Sequence, residues 1–252
     1  YLLCDTLTPA NCDTVEVTVD VLAVISGTSD TAQIPSTGGK VAISNNDSIN
    51  GQPAQVGVNA TIDTLGQWPS GITLDSTGAT FVGIDSYLDG ASGTPPGSYT
   101  VNYLLCDTLT PASCDTVSVN VTITPVIDGE EDTLALPATG GSAPLAANDS
   151  VNGEPAQVGS NATVDTLGSW PSGVTLDSTG AVVVAPGTPP GSYPVSYLLC
   201  DTLTPANCDT VEVEVNIAPV IDGEEDTLAL PATGSSAPLA ANDSVNGEPA
   251  QV

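Results

Sequence analysis

The chain has 252 residues, with one basic side chain, Lys40, against 30 Asp and Glu, a formal charge of −29 at pH 7, and no His or Met. That balance excludes nucleic acid and anionic lipid as partners, because both are met by Lys and Arg. With 40% hydrophobic and 12% charged residues, the chain also lies outside the charge-rich, apolar-poor range of disordered proteins.

The chain opens on YLLCDTLTPANCDTVEVTV at Tyr1, and the phrase returns at Tyr103 and Tyr197, 102 and then 94 residues further on. A period of this length is that of a small β-sandwich rather than of a solenoid unit. It divides the chain into the closing hairpin of a partial repeat (1–21), two complete repeats (22–123 and 124–217) and the opening part of another partial repeat (218–252). The chain reads as a window in a longer array. The missing strands of its two partial units are expected from chain beyond the window or from a neighbouring chain, since bare edges invite aggregation.

Six cysteines occur as three pairs, Cys4 with Cys12, Cys106 with Cys114 and Cys200 with Cys208, each with seven residues between partners. The spacing suggests intrachain bridges formed in an oxidising, exported setting. A zinc site is the competing reading, and it lacks both His and CxxC spacing. Around each pair apolar residues alternate with polar ones. Tyr99, Val101, Tyr103 and Leu105 share one parity and Cys106 the other, while Val117, Val119 and Val121 oppose Cys114. Both thiols therefore belong to the face away from the core, at the loop end of one hairpin. A bridge closing so short a loop stabilises by roughly 2–3 kcal/mol.

In the first complete repeat, Trp68 precedes Pro-Ser-Gly, as Trp170 does in the second. Each is read as capping one end of the sandwich, with a binding aromatic as the alternative. The first repeat also carries GIDSYLDGAS, residues 83–92, where the second has only Ala185 and Pro186. This insertion of eight residues is expected to lengthen one strand connection and to form a distinct surface loop.

The second repeat supplies candidate strands DTLALPA, APLAAN, AQVGSNATV, GVTLD and AVVVAP, separated by turn strings rich in Gly, Pro, Asn and Asp. With the cysteine hairpin these make seven or eight antiparallel strands and no helix. The predicted fold is all-β, a tandem array of immunoglobulin-like sandwiches. Residues 125–158 and 219–252 differ at one of 34 positions, Gly141 against Ser235.

The strings WPSGVTLDSTGA and GTPPGSYPVSYLLCD resemble the immunoglobulin-like repeats of bacterial surface proteins. The YLLCDTLTPANCDTVEVEV phrase and the AANDSVNGEPA turn are similar to units of giant Bacteroidota proteins exported by the type IX system. The resemblance covers both complete repeats. It implies a long cell-surface adhesin or filament, including gliding adhesins and prey-capture appendages, without catalytic activity.

Three kinds of chemistry can be weighed from the residues. Without His, no Ser-His or Cys-His nucleophile exists, and the many carboxylates recur in turns rather than converging, so no enzyme is expected. Lys40 as the sole lysine rules out an array-wide isopeptide lock. At the junctions, PVIDGEED places Asp128, Glu130, Glu131 and Asp132, and again Asp222, Glu224, Glu225 and Asp226, on a boundary segment. Hard oxygen ligands there suit calcium. A solvated acidic linker is the alternative, favoured by the first boundary, AVISGTSD, which retains only Asp30.

Asp followed by Thr or Ser and an aliphatic residue recurs along the chain, with its hydroxyl at Thr6, Thr14, Thr64, Thr108, Thr116, Ser150, Thr166, Thr202 and Thr210. In form it is similar to the acceptor motif of Bacteroidota O-glycosylation. Plain Asx turns at strand ends are the competing reading. The leading expectation is an extracellular, cell-surface stalk or fibre, each repeat adding ~35–45 Å. Its partners are neighbouring repeats, parallel copies, and other cells or surface glycans. The alternative is a carbohydrate- or cell-binding module acting through the inserted loop or Trp68.

Overall fold

The computed structural model describes residues 1–75, 87–110 and 112–251. Its regular elements there are all strands, and no helix is long and apolar enough to cross a membrane. The fold is an all-β tandem array of immunoglobulin-like sandwiches.

Each complete repeat has two facing sheets and a small ribbon at its leading end. In the second repeat one sheet has the order Asp132–Pro137, Cys208–Ala218, Gly191–Asp201, Ala162–Leu167, and the other Gly141–Pro144, Ala181–Val184, Val174–Leu176. The first repeat repeats this with Asp30–Pro35, Cys114–Thr124, Gly97–Asp107 and Ala60–Leu65 facing Gly39–Ala42, Tyr87–Gly90 and Ile72–Asp75. Period-two alternation sends Leu136, Val195, Tyr197, Leu199, Val211, Val213 and Val215 inward, where they meet Leu145, Val174, Val182 and Val184 from across the sandwich. One core draws its residues from 25–123 and another from 127–217.

One pairing departs from the expected antiparallel pattern. The first long strand of each repeat runs parallel to the last, Asp132 opposite Val213 and Asp30 opposite Val119. Parallel pairing requires a crossover, and here the whole intervening sandwich provides it. Two strands are also shifted from their predicted positions. APLAAN contributes only its first residues, to Gly141–Pro144. AQVGSNATV begins as a turn in which the Gln157 carbonyl accepts the amides of Ser160, Asn161 and Ala162, while Asn161 Oδ1 accepts Gln157 N at 2.7 Å. The Asn side chain substitutes for a strand partner, so the ladder starts only at Ala162.

The insertion is not where the aligned strings place it. Tyr87–Gly90, inside the expected surface loop, is the central strand of its sheet. Gly90 lies opposite Gly39 as Val184 lies opposite Gly141. The additional length therefore falls between Asp75 and Tyr87, and residues 83–86 of the expected loop lie outside the described residues. The reason is core volume: Leu88 is fully buried, and Gly90 leaves room for Ile34, where the second repeat combines Val184 with Leu136. On the rim of this sheet Lys40 Nζ reaches both Asp75 and Asp89 at 3.5 Å.

Candidate functional site: the joint between repeats

The boundary segment is built into the next repeat as a strand. Ile127–Asp128 pairs with Ser150–Val151, which turns through Asn152-Gly153 into Glu154–Pro155. Asn-Gly is the favoured pair for so tight a hairpin because both residues must take positive φ. Asn152 and Gly153 do so, at 55° and 81°. The Asn152 amide donates to Val126 O at 2.7 Å and its Oδ1 accepts Val126 N at 3.0 Å. The same two-way clamp joins Asn50 to Val24 and Asn246 to Val220.

The turn then seats on the preceding repeat. Ser36 Oγ donates to Asn152 Oδ1 at 3.2 Å and Ser92 Oγ to Gly153 O at 3.1 Å. At the following boundary, Gly187 N donates to Asn246 O at 2.9 Å. Glycine is required at this seat: a Cβ on Gly153 would lie 2.5 Å from Ser92 Oγ and 3.0 Å from Ser36 O.

Deeper in, buried and half-buried acids hold the linker down. Asp149 is 3% exposed; its Oδ1 accepts Glu130 N at 2.9 Å and its Oδ2 the Tyr197 hydroxyl at 2.6 Å. Asp209 Oδ2 accepts Gly129 N at 3.2 Å. The first repeat duplicates the latch, with Asp47 taking Thr28 N at 2.8 Å and the Tyr103 hydroxyl at 2.5 Å, and Asp115 taking Gly27 N at 3.0 Å. Tyr103 and Tyr197 are fully buried, and burial followed by the facing carboxylates drives both phenol pKa values up.

Burial also pushes Asp132 up to about 6, with the Asp149 carboxylate adding repulsion, and Asp30 up to about 6. Asp132 Oδ2 is buried without a hydrogen-bond partner. A carboxyl whose folded pKa is raised binds its proton more tightly in the native state, so its contribution is greatest below the unfolded pKa and is lost as pH rises. The thermal midpoint is therefore expected to fall between pH ~4 and ~6 and then level off. Asp132→Asn flattens that slope for the second repeat, as calorimetry across the pH series would show.

The structure distributes the expected site residues as follows. All six cysteines are paired as predicted, directly opposite one another in the ladder and off the core face. Cys200, though on the outer face, is covered to 7% exposure. Of the junction acids, Asp128, Glu130 and Glu131 are exposed, Asp132 is half-buried near Asp149, and Asp222, Glu224, Glu225 and Asp226 are exposed. Among the described residues no group of three or more His, Cys, Asp or Glu is arranged to hold a metal ion. The Trp68 and Trp170 indoles donate to Asn102 O and Ser196 O, both at 3.0 Å, and pack against their cores, in agreement with capping.

The Asp-Thr strings in the cysteine loops are Asx turns. Asp201 Oδ1 accepts Leu203 N at 3.1 Å and Asn207 N at 2.9 Å, and its Oδ2 accepts Asn207 Nδ2 at 2.8 Å. Thr6, Thr14, Thr64, Thr108, Thr116, Thr166, Thr202 and Thr210 are all exposed, while Ser150 is half-buried. In the middle loop Ser113 replaces the Asn. Asp107, 3% exposed, is left with Oδ2 unpartnered. Ser113→Asn restores the missing donor and is expected to stabilise the first complete repeat by ~1 kcal/mol, measured by denaturant unfolding.

No family model matches the chain, and no curated protein matches it. Solved structures similar to it include mouse clustered PcdhgC3 domains EC1-3, at 12% identity and TM-score 0.32, covering 86% of this chain and 75% of that one. Protocadherin Gamma B2 cadherin domains 3-6 follow at 15% identity and TM-score 0.33, covering 86% and 55%. An endo-fucoidan hydrolase of glycoside hydrolase family 107 has 14% identity and TM-score 0.29, covering 77% and 34%. The chain thus spans three quarters of the first of these and about half or less of the other two.

Proposed function

We propose that this chain is a structural repeat region of an extracellular bacterial surface filament or adhesin stalk, whose working element is the joint between sandwiches. The observation that carries the reading is the Asn-Gly clamp on the boundary valine, present at Val24, Val126 and Val220. A joint closed by the chain's own hydrogen bonds makes successive repeats one rod, and a rod of near-identical units suits a spacer better than a dedicated binding module. With no His in the sequence, a Ser-His or Cys-His nucleophile is not available to it.

Other parts of the molecule fit this reading. Disulfides suit an exported fibre. Calcium has a place at the exposed carboxylates of Asp128, Glu130 and Glu131, where a divalent cation would screen their mutual repulsion beside the latch. The exposed hydroxyls of the Asp-Thr turns are open to glycans, a point that the intact mass of the secreted protein decides.

The test is the joint itself. Asn152→Ala removes the Oδ1 acceptor, the Ser36 contact and a residue suited to positive φ, at a cost of ~1–2 kcal/mol. Small-angle scattering is expected to show a rod in the native chain and a broader distribution of end-to-end distances in the variant. Identical scattering from the two, or a flexible native chain, would sink the reading.

A further inference from the structure

The cysteine hairpin lies at the joint in front of its own repeat. Because Asp132–Pro137 runs parallel to Val213–Ala218, a repeat begins at the end where its last strand begins, and there Cys208 faces Cys200. The residue after Cys208 is Asp209, the carboxylate that accepts Gly129 N at 3.2 Å. Its other oxygen accepts Thr210 N at 2.8 Å, which fixes the side chain. In the first repeat Asp115, next to Cys114, holds Gly27 N in the same way. There the hairpin loop also shares a cleft with the tail of the preceding unit, Leu109 and Ser113 lining it with Val19 and Val21.

The sandwich does not need the bridge to hold its two long strands together. Ten residue pairs, Gly191 with Ile217 through Cys200 with Cys208, are in register. Tyr197, Leu199, Val211, Val213 and Val215 are at most 2% exposed. The bridge is the last pair of this ladder, on the face away from the core, with Cys208 exposed to solvent. Losing it frays the tip, one residue from the carboxylate that grips the junction.

We propose that each disulfide clamps the joint preceding its repeat and is only secondarily a staple of the sandwich. The inference rests on the joint being the working element. A dithiol that donates two electrons and two protons opens the S–S bond to two thiols and is itself oxidised to a disulfide. The hairpin tip then frays, Asp209 releases Gly129, and residues 126–131 loosen while both cores stay folded. A reducing environment thereby softens the array at its joints.

Residue-resolved amide exchange on the whole chain tests this, with and without dithiothreitol under native conditions. In the oxidised chain the Gly129 and Glu130 amides are expected to be protected. Reduction lowers Gly129 protection about ten-fold or more while the amides of the ladder from Tyr193 to Leu199 keep theirs. Cys200→Ser with Cys208→Ser gives the same pattern without reagent, and Asp209→Ala gives it with the bridge intact. The clamp is overturned if Gly129 keeps its protection after reduction, or if the core amides lose theirs together with it. Free exchange of Gly129 already in the oxidised chain overturns the ordered joint, and the clamp with it.

Discussion

Gly129→Ala is expected to cost the second repeat ~2–3 kcal/mol and to detach the linker from Asp209. A Cβ at Gly129 would overlap Val211 Cγ2, and Val211 is 1% exposed within the core ladder. Neither side has slack. The valine cannot move without opening the core, so the linker backbone must lift, and lifting breaks the bond from Gly129 N to Asp209. Gly27 over Val117 has the same geometry. At Gly223 an added Cβ would meet only Asp243 Oδ1, at 3.8 Å, so Gly223→Ala is expected to be nearly neutral. Each complete repeat carries one tryptophan, and Trp170 fluorescence in a Trp68→Phe background isolates the transition of the second repeat. A cost below ~0.5 kcal/mol for Gly129→Ala, the level of an ordinary surface change, would contradict the close approach.

The second large effect is expected from Tyr197→Phe. The ring stays in the core, but Asp149 Oδ2 loses the hydroxyl that donates to it while 3% exposed. Leaving a buried carboxylate short of a partner costs ~1–3 kcal/mol. Adding Asp149→Asn to the variant should recover part of the loss, because a neutral amide is cheaper to bury and its oxygen can still accept Glu130 N. Chemical denaturation of the two single variants and the double variant checks both points. An unchanged midpoint in Tyr197→Phe would mean that the phenol and carboxylate do not depend on one another.

Reduction of the bridges, the pH slope from Asp30 and Asp132, and the Ser113→Asn change act on the same end of the sandwich. The joint, the Tyr–Asp latch and the cysteine loop are contiguous there. An array of such units concentrates its adjustable chemistry at the boundaries and keeps the sandwich interiors apolar.

How much of this was legible from the sequence varied with distance along the chain. Alternation around Cys106 and Cys114 placed the bridge at a hairpin tip and off the core face, because successive strand residues point to opposite sides whatever the rest of the fold does. Turn strings marked most strand boundaries for a similarly local reason. The failures were non-local. The central strand of the first repeat's smaller sheet is Tyr87–Gly90, inside the string expected to be a surface loop, where Leu88 is buried and Gly90 leaves room for Ile34. Asp149 looked like one more turn acid, and only the fold brings it against Tyr197, 48 residues away. The signal that could have found it was present: Asp47, Asp149 and Asp243 each stand three residues before the Asn of an Asn-Gly turn.

By itself, then, the sequence determined the repeat, the all-β class and the bridges, because these follow from composition, period and short-range parity. The tertiary structure alone decided that the first strand runs parallel to the last, and so that the cysteine tip, the acidic linker and the Asn-Gly turn meet at one joint. Strand order depends on which apolar faces fill one another's space, and residues far apart in the chain settle that together.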